Sequence, residues 1–148
     1  MKIRRYEKTD CNELLELFYN TVHMVNAKDY TKKQLDVWAT GHEDSQEWNE
    51  LLLKHYSIVA VCDNIIVGFG DIDGVGYLDH LFVHKDYQER EIATAICDKL
   101  EQTAKYNIKT HASVTAKPFF EKRGYKVIKE QRVERQGVFL TNYIMIKR

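Results

Sequence analysis

The chain is 148 residues long with a single proline, is 44% hydrophobic, and balances 22 Lys and Arg against 22 Asp and Glu. That length suits one domain over residues 1–148 that buries its own core, and a formal net charge of zero excludes a broad basic footprint for nucleic acid or an anionic membrane. Cys11, Cys62 and Cys97 are odd in number and sit in apolar patterns, which suits reduced, buried thiols better than a disulfide framework; with no signal-like segment and no run near the ~20 apolar residues that cross a bilayer, a reduced cytoplasmic protein is expected.

Taken in order, residues 2–6 read as a short strand. Thr9 or Asp10, with Glu13 completing a capping box, should start a first helix that runs to about His23 on the stripe Leu14, Leu15, Leu17, Phe18 and Val22. Residues 30–38 read as a second helix capped by Thr31, and residues 48–54 as a third. Trp38 and Trp48 on these short helices either line a pocket or anchor the helices to the core. Residues 57–62 and 65–71 are β-rich runs around Asp63-Asn64, a pair that tolerates positive φ, so an antiparallel hairpin follows. The third adjacent antiparallel strand is Tyr77–Val83. Further on, residues 109–113 read as a strand, Thr115 caps a helix with Pro118 in its first turn, and Gly124 ends it after Lys122 and Arg123. Residues 125–134 and 139–147 close the chain as a hairpin around Gln136-Gly137.

The stretch from Tyr77 to Leu100 carries the strongest functional signal. An apolar run through Val83 reads as a buried strand, His84 to Asp86 as a polar turn, and Ile92, Ala93, Ile96, Cys97 and Leu100 as one helical face. A strand feeding a helix through a polar loop presents unpaired N–H groups and the positive end of the helix dipole, a cradle for phosphate.

The element order, together with Leu81-Phe82-Val83-His84-Lys85-Asp86-Tyr87-Gln88-Glu89-Arg90-Glu91-Ile92-Ala93 and Ala116-Lys117-Pro118-Phe119-Phe120-Glu121-Lys122-Arg123-Gly124-Tyr125, resembles the GNAT superfamily of acyl-coenzyme A dependent N-acyltransferases over nearly the whole chain. The wording is similar to its bacterial subgroup of YafP-like acetyltransferases. The resemblance implies a mixed α/β fold of the α+β type, a central twisted, mostly antiparallel sheet of about seven strands with helices on both faces. It also implies acetyl-CoA as cosubstrate, with Leu81, Phe82, Val83, Gln88, Glu89, Arg90, Glu91, Ile92, Ala93, Thr94, Ser113 and Phe120 as its contacts, and a small-molecule or peptide amine as acceptor. Gln88, Ile92 and Ala93 match the family's loop pattern, whereas Glu91 stands where the pattern has glycine. Glycine permits a tight turn and close approach to a diphosphate; two like charges about 4 Å apart cost about 4 kcal/mol at an effective dielectric near 20. A glutamate in the first helical turn is worth about 0.3–1 kcal/mol to the fold, so folding and binding pull apart. Arg90 either pairs with phosphate or is a solvated loop residue.

Strict alternation puts Tyr77, Asp79, Leu81 and Val83 on one strand face and Leu78, His80, Phe82 and His84 on the other. The resemblance makes Asp79 the first choice for general base and Tyr77 its positioning partner; Asp79 also reads as a structural carboxylate bonded to backbone or to His80. His80 is the alternative base. His80 and His84 lie four residues apart, ~13 Å along a strand, too far for one ion, so no metal site is expected. His23, His42 and His55 are expected at the surface. The family's acid, a tyrosine of the last helix, aligns with Phe120, which has no proton to donate; Tyr125 and Tyr143, neither at the motif position, are alternative acids that read first as packing residues, and Ser113 and Thr115 read as contacts of the pantetheine arm or helix caps. Three readings follow: an N-acetyltransferase, an acyl-CoA-binding sensor without turnover, and an interaction module on the same scaffold. Exposed edge strands leave room for a homodimer.

Overall fold

A computed structural model describes residues 1–148. In chain order it contains β1 (Lys2–Arg5), a 3-10 turn (Lys8–Asp10), α1 (Cys11–Met24), a second 3-10 turn (Asn26–Lys28), α2 (Lys32–Trp38), α3 (Ser45–Lys54), β2 (Tyr56–Cys62), β3 (Ile65–Ile72), β4 (Tyr77–Val83), α4 (Ile92–Gln102), β5 (Ile108–Ser113), α5 (Lys117–Lys122), β6 (Lys126–Arg135) and β7 (Val138–Lys147). Asp63 and Asn64 adopt φ of 51° and 65°, the twist a two-residue hairpin turn requires between β2 and β3. Thr31 and Gln34 form the capping box of α2. No helix is long and apolar enough to cross a membrane.

Two helix starts, those of α1 and α5, differ from the sequence reading because another partner takes the side chain. Asp10 does not cap α1; it accepts two hydrogen bonds from Arg4, at 2.8 and 2.9 Å, and one from Glu7 N at 2.9 Å. Glu13 reaches away from its own helix and accepts from Ile66 N at 2.7 Å, tying α1 to β3. At α5 it is Ser113 Oγ that accepts from Ala116 N at 3.0 Å, while Thr115 Oγ1 donates to Asp29 at 2.8 Å. Trp48 lies within α3 rather than at its start, because Asp44 caps that helix by accepting from Gln46 N and Glu47 N.

The seven strands form one sheet in the order β1-β2-β3-β4-β5-β7-β6, with β4 and β5 as the parallel neighbours in an otherwise antiparallel arrangement. One core lies between the sheet and α1, α2 and α3, built on residues such as Leu14, Phe18, Leu35, Leu52 and Phe69. The other lies beneath α4 and α5, on Leu78, Ile96, Leu100, Phe120 and Met145. Gly68 and Gly70 flatten β3 under α4: a Cβ at Gly70 would lie 2.9 Å from Ile96 and 3.0 Å from Leu100, so glycine lets the helix sit close to the strand. β4 and β5 pair only at Tyr77↔Lys109 and Leu78↔Thr110, where Thr110 Oγ1 also donates to Leu78 O at 2.8 Å. Beyond that seam the two strands part, and the sheet opens into a cleft.

Candidate active site

The cleft has a volume of about 1110 Å³ and runs from the start of α4, through the split between β4 and β5, to the face covered by α1, α2 and α3. Every residue that the sequence reading assigned to the site lines it except Arg90, whose guanidinium sits 4.9 Å over the Tyr87 ring.

At the α4 end the loop works through its backbone. Tyr87 N donates to His84 O and Ala95 N to Glu91 O, but the N–H groups of residues 88–94 donate to no group of the protein. Gln88 Nε2 holds the loop against the end of β4 by donating to Val83 O at 2.7 Å and His84 O at 3.2 Å. Glu89 and Glu91 adopt φ of 59° and 62°, the left-handed region. This shows what a glycine at position 91 would relieve, since a residue with a Cβ is strained there by about 1 kcal/mol or more. The exposed Glu91 side chain adds a carboxylate at the mouth of the same cradle. Ile92, by contrast, turns into the core under α4, with Ala93 and Thr94 half-buried behind it.

Along β4 the strict alternation expected from sequence does not hold. The register passes from Asp71↔His80 to Ile72↔Leu78, leaving Asp79 as an extra residue in a bulge. Leu78, Leu81 and Val83 consequently face α4, whereas His80 and Phe82 face α1 and α3. Asp79 stays beside His80, with its carboxylate 3.9 Å from His80 Nδ1. Tyr77 stacks edge-on against His111 on this same side, with ring centroids 5.2 Å apart. Because His84 N donates to Val67 O across the β3 edge, alternation turns the N–H groups of Leu81 and Val83 toward the open split.

Behind Asp79 lies a polar network that the sequence reading missed. Asp71 is fully buried; its Oδ1 accepts from His80 N and His80 Nδ1, both at 2.9 Å, and its Oδ2 from His55 Nδ1 at 2.8 Å. An ionised carboxylate can only accept, so both Nδ1 atoms carry protons and His80 Nε2 is the exchangeable nitrogen of that ring. His55 is therefore a buried partner of Asp71, not a surface residue, its side chain only 10% exposed. His23 is also tucked in, bonded through Nε2 to Ala39 O at 2.8 Å, while His42 is exposed as expected. The donor atoms of His55, Asp71 and Asp79 lie within 4.8 Å of one another, but the hydrogen bonds above already use the Asp71 carboxylate and the His55 Nδ1, which makes the cluster a charge network. The signal that would have found it is a buried aspartate in an apolar strand, since a buried charge demands partners.

Electrostatics separates these groups. Burial pushes the Asp79 carboxyl upward, with its neighbours partly cancelling; no hydrogen bond donor within the protein reaches it. Burial alone would raise Asp71 as well, but the bonds from His80 and His55 hold it below the ordinary carboxylate range. For His80 burial works downward, and the bond to Asp71 outweighs it, so the ring is raised overall. Burial, with Asp79 and Asp71 nearby, pushes the Tyr77 phenol up to about 12, so it stays a neutral donor. His111 is lowered by burial and by Lys109.

The positions where a proton donor was sought are occupied by packing residues. Phe120 is 3% exposed, its ring 4.9 Å from Tyr125 and 5.3 Å from Phe119. Tyr125 is buried and donates to Glu101 at 2.8 Å, and burial plus that carboxylate raise its pKa strongly. Tyr143 carries Lys117 Nζ 4.6 Å over its ring. One buried acceptor, Asn142 Oδ1 at the cleft wall, has no donor within the protein, which suits a molecule that brings its own N–H or O–H.

An unspent amide cradle leading into a parted pair of parallel strands is the arrangement that the resemblance to acyl-coenzyme A dependent acyltransferases implies. Residues 26–147 match the family model of the acetyltransferase (GNAT) domain, and the chain belongs to the GNAT family of acetyltransferases. It is 36% identical over 146 residues to the Escherichia coli K12 protein described as uncharacterized N-acetyltransferase YafP, covering 98% of this chain and 94% of that one. Among solved structures it resembles a GCN5-related N-acetyltransferase from Rhodopseudomonas palustris at 29% identity and a TM-score of 0.94, covering 99% of this chain and 94% of the other. PaiA N-acetyltransferase from Thermoplasma acidophilum, solved with coenzyme A, shares the fold at 16% identity and a TM-score of 0.80, covering 99% and 98%.

Proposed function

We propose that this protein transfers an acetyl group from acetyl-coenzyme A to a primary amine of a small molecule or peptide, with Asp79 as general base. The observation that carries this reading is the bulge in β4: it sets a carboxylate with no hydrogen-bond donor and a raised pKa beside the split, on the same strand that turns two free N–H groups into it. The coenzyme A held by the PaiA structure and the free amides of residues 88–94 support the cosubstrate, and the orphaned Asn142 Oδ1 suits a ligand rich in amide donors. Acetyl-coenzyme A supplies an acyl thioester. Asp79 accepts a proton from the acceptor ammonium, leaving the amine lone pair free to attack. The N–H groups of Leu81 and Val83 are the donors available to an acyl oxygen in the split. Tyr77, neutral at physiological pH, offers a hydroxyl to orient the acceptor. His80, its Nδ1 fixed on Asp71, is the second candidate base. No side chain acts as acid at Phe120: the C–N bond forms, the C–S bond breaks, and the departing thiolate takes up, through solvent, the second proton that the acceptor nitrogen sheds.

Thiol release from acetyl-coenzyme A across an amine panel tests the reading. Turnover that falls in Asp79→Asn and persists in His80→Gln supports Asp79; the reverse pattern moves the base to His80. Binding of acetyl-coenzyme A by calorimetry without turnover of any amine turns the assignment to a sensor, the second reading, which the strained acidic Glu91 and the missing acid at Phe120 favour.

A further inference from the structure

We propose that the acceptor is a monocationic primary amine carried on a flat aromatic body, an arylalkylamine-type molecule; this rests on the acyl-transfer reading above. A continuous wall of rings covers the acceptor side of the cleft. His80 lies 4.8 Å from Trp48, Trp48 lies 5.0 Å from Phe18, Phe18 lies 5.0 Å from Phe82, and Phe82 lies 6.4 Å from Trp38. All five rings line the cleft, and Trp38, Trp48 and Phe82 are half-buried, each with part of its surface on the core and part on the opening. Both tryptophans thus anchor their helices and line the cleft. Two hydroxyls along this wall are spent inside the protein: Thr21 Oγ1 donates to Val83 O at 2.9 Å, and Tyr30 OH donates to Thr141 O at 2.6 Å. The ring surface left to a ligand is apolar, its neighbouring rings tilted by 37–87° to one another, which favours offset or edge-on stacking of another ring.

Charge fixes the rest of the molecule. Asp79 and Glu43 are the carboxylates of the acceptor side, and Glu43 Oε2 already accepts from Thr40 N at 2.9 Å and Thr40 Oγ1 at 3.0 Å. Glu43 is thereby tethered to the Thr40 turn, and Asp79 is the carboxylate without a donor; it lies 3.9 Å from His80 Nδ1, whose ring packs 4.8 Å from Trp48, an indole whose face attracts a cation. Lys28 and Arg135 line the same opening and repel a second positive charge, so a polyamine is disfavoured while a single ammonium on an aryl body satisfies both the wall and Asp79.

The test compares 2-phenylethylamine with n-hexylamine, spermidine and a short peptide amine, using thiol release from acetyl-coenzyme A and, separately, quenching of the protein's tryptophan fluorescence. The expected result is a kcat/KM for 2-phenylethylamine about tenfold or more above the others, with Trp48→Leu collapsing that aryl-over-alkyl ratio in protein that keeps a cooperative unfolding transition. Should Trp48→Leu fold poorly, Trp38→Leu provides the same comparison. Equal or better turnover of hexylamine, spermidine or the peptide overturns the inference and leaves acyl transfer standing. Saturable quenching by 2-phenylethylamine without turnover of any amine keeps the aromatic site and overturns the acyl-transfer reading; neither quenching nor turnover overturns both.

Discussion

Asp79 and Glu91 show how a single side chain sets the chemistry of this cleft. As a base Asp79 must be ionised, and burial raises its pKa, so kcat/KM should climb with pH through a value above the ordinary carboxylate pKa of about 3.9. Asp79→Asn is expected to lower kcat by about 10²–10⁴-fold and to erase that acid limb, with acetyl-coenzyme A affinity unchanged by calorimetry; a variant that keeps the limb assigns it to another group. Glu91 is the opposite case, a residue working against its place. At φ 62° glycine is free of strain, and removing the carboxylate removes a like charge from the phosphate cradle. Glu91→Gly should therefore tighten acetyl-coenzyme A binding by about 3- to 10-fold, and equal affinity of the two forms would refute this. The position of Glu91 was readable because it departs from a local pattern. The company of Asp79 was not: Asp71 and His55 are 16 residues apart in sequence and meet only when β3 and α3 close on the strand.

β4 was legible as a strand because Tyr77–Val83 is short, apolar and followed by turn residues. Its bulge was not, since nothing in Tyr-Leu-Asp-His-Leu-Phe-Val interrupts the alternation, and the extra residue is defined by the β3 register alone. Caps failed for the same reason: Asp10 and Thr115 have suitable side chains, but Arg4 and Asp29 take them. What locks the bulge is Asp71, which grips His80 by backbone and ring together. Removing a buried charge that holds two partners costs about 3–5 kcal/mol, and Asp71→Asn should unfold at correspondingly lower denaturant. The pH dependence has a definite sign. Asp71 is depressed in the fold, so its stabilisation is present above the unfolded carboxylate pKa of about 3.9 and is lost as pH falls through its lower folded value; His80 is raised, so its contribution is full below about 6.5 and is lost as pH rises through its higher folded value. Wild-type Tm should consequently be highest between about pH 4 and pH 6.5 and decline toward pH 9, whereas Asp71→Asn should give a flatter profile over the alkaline part; parallel profiles would remove His80 and Asp71 from that dependence.

Across the whole molecule the sheet separates two cores, and the cleft joins them at the one seam where neighbouring strands stop pairing. The cosubstrate cradle belongs to α4 and its loop, and the aromatic wall to α1, α2 and α3, so the two halves of the cleft rest on different cores and are held in register by β4. A ligand bound along the amides of residues 88–94 and the edge of β4 contacts groups that exist together only in the folded chain. Such binding stabilises by mass action, about 2.7 kcal/mol at 100-fold excess over Kd, and for a domain of about 150 residues each kcal/mol moves Tm by roughly 2–4 °C. Acetyl-coenzyme A at that excess should raise Tm by about 5–10 °C. The same concentration should raise it further in Glu91→Gly, whose affinity is higher, and equally in Asp79→Asn, whose carboxylate serves the acceptor side. A shift that disappears in Asp79→Asn would place the bound thioester against the β4 bulge with Asp79 itself as a contact, and would merge the two halves of the cleft into one site.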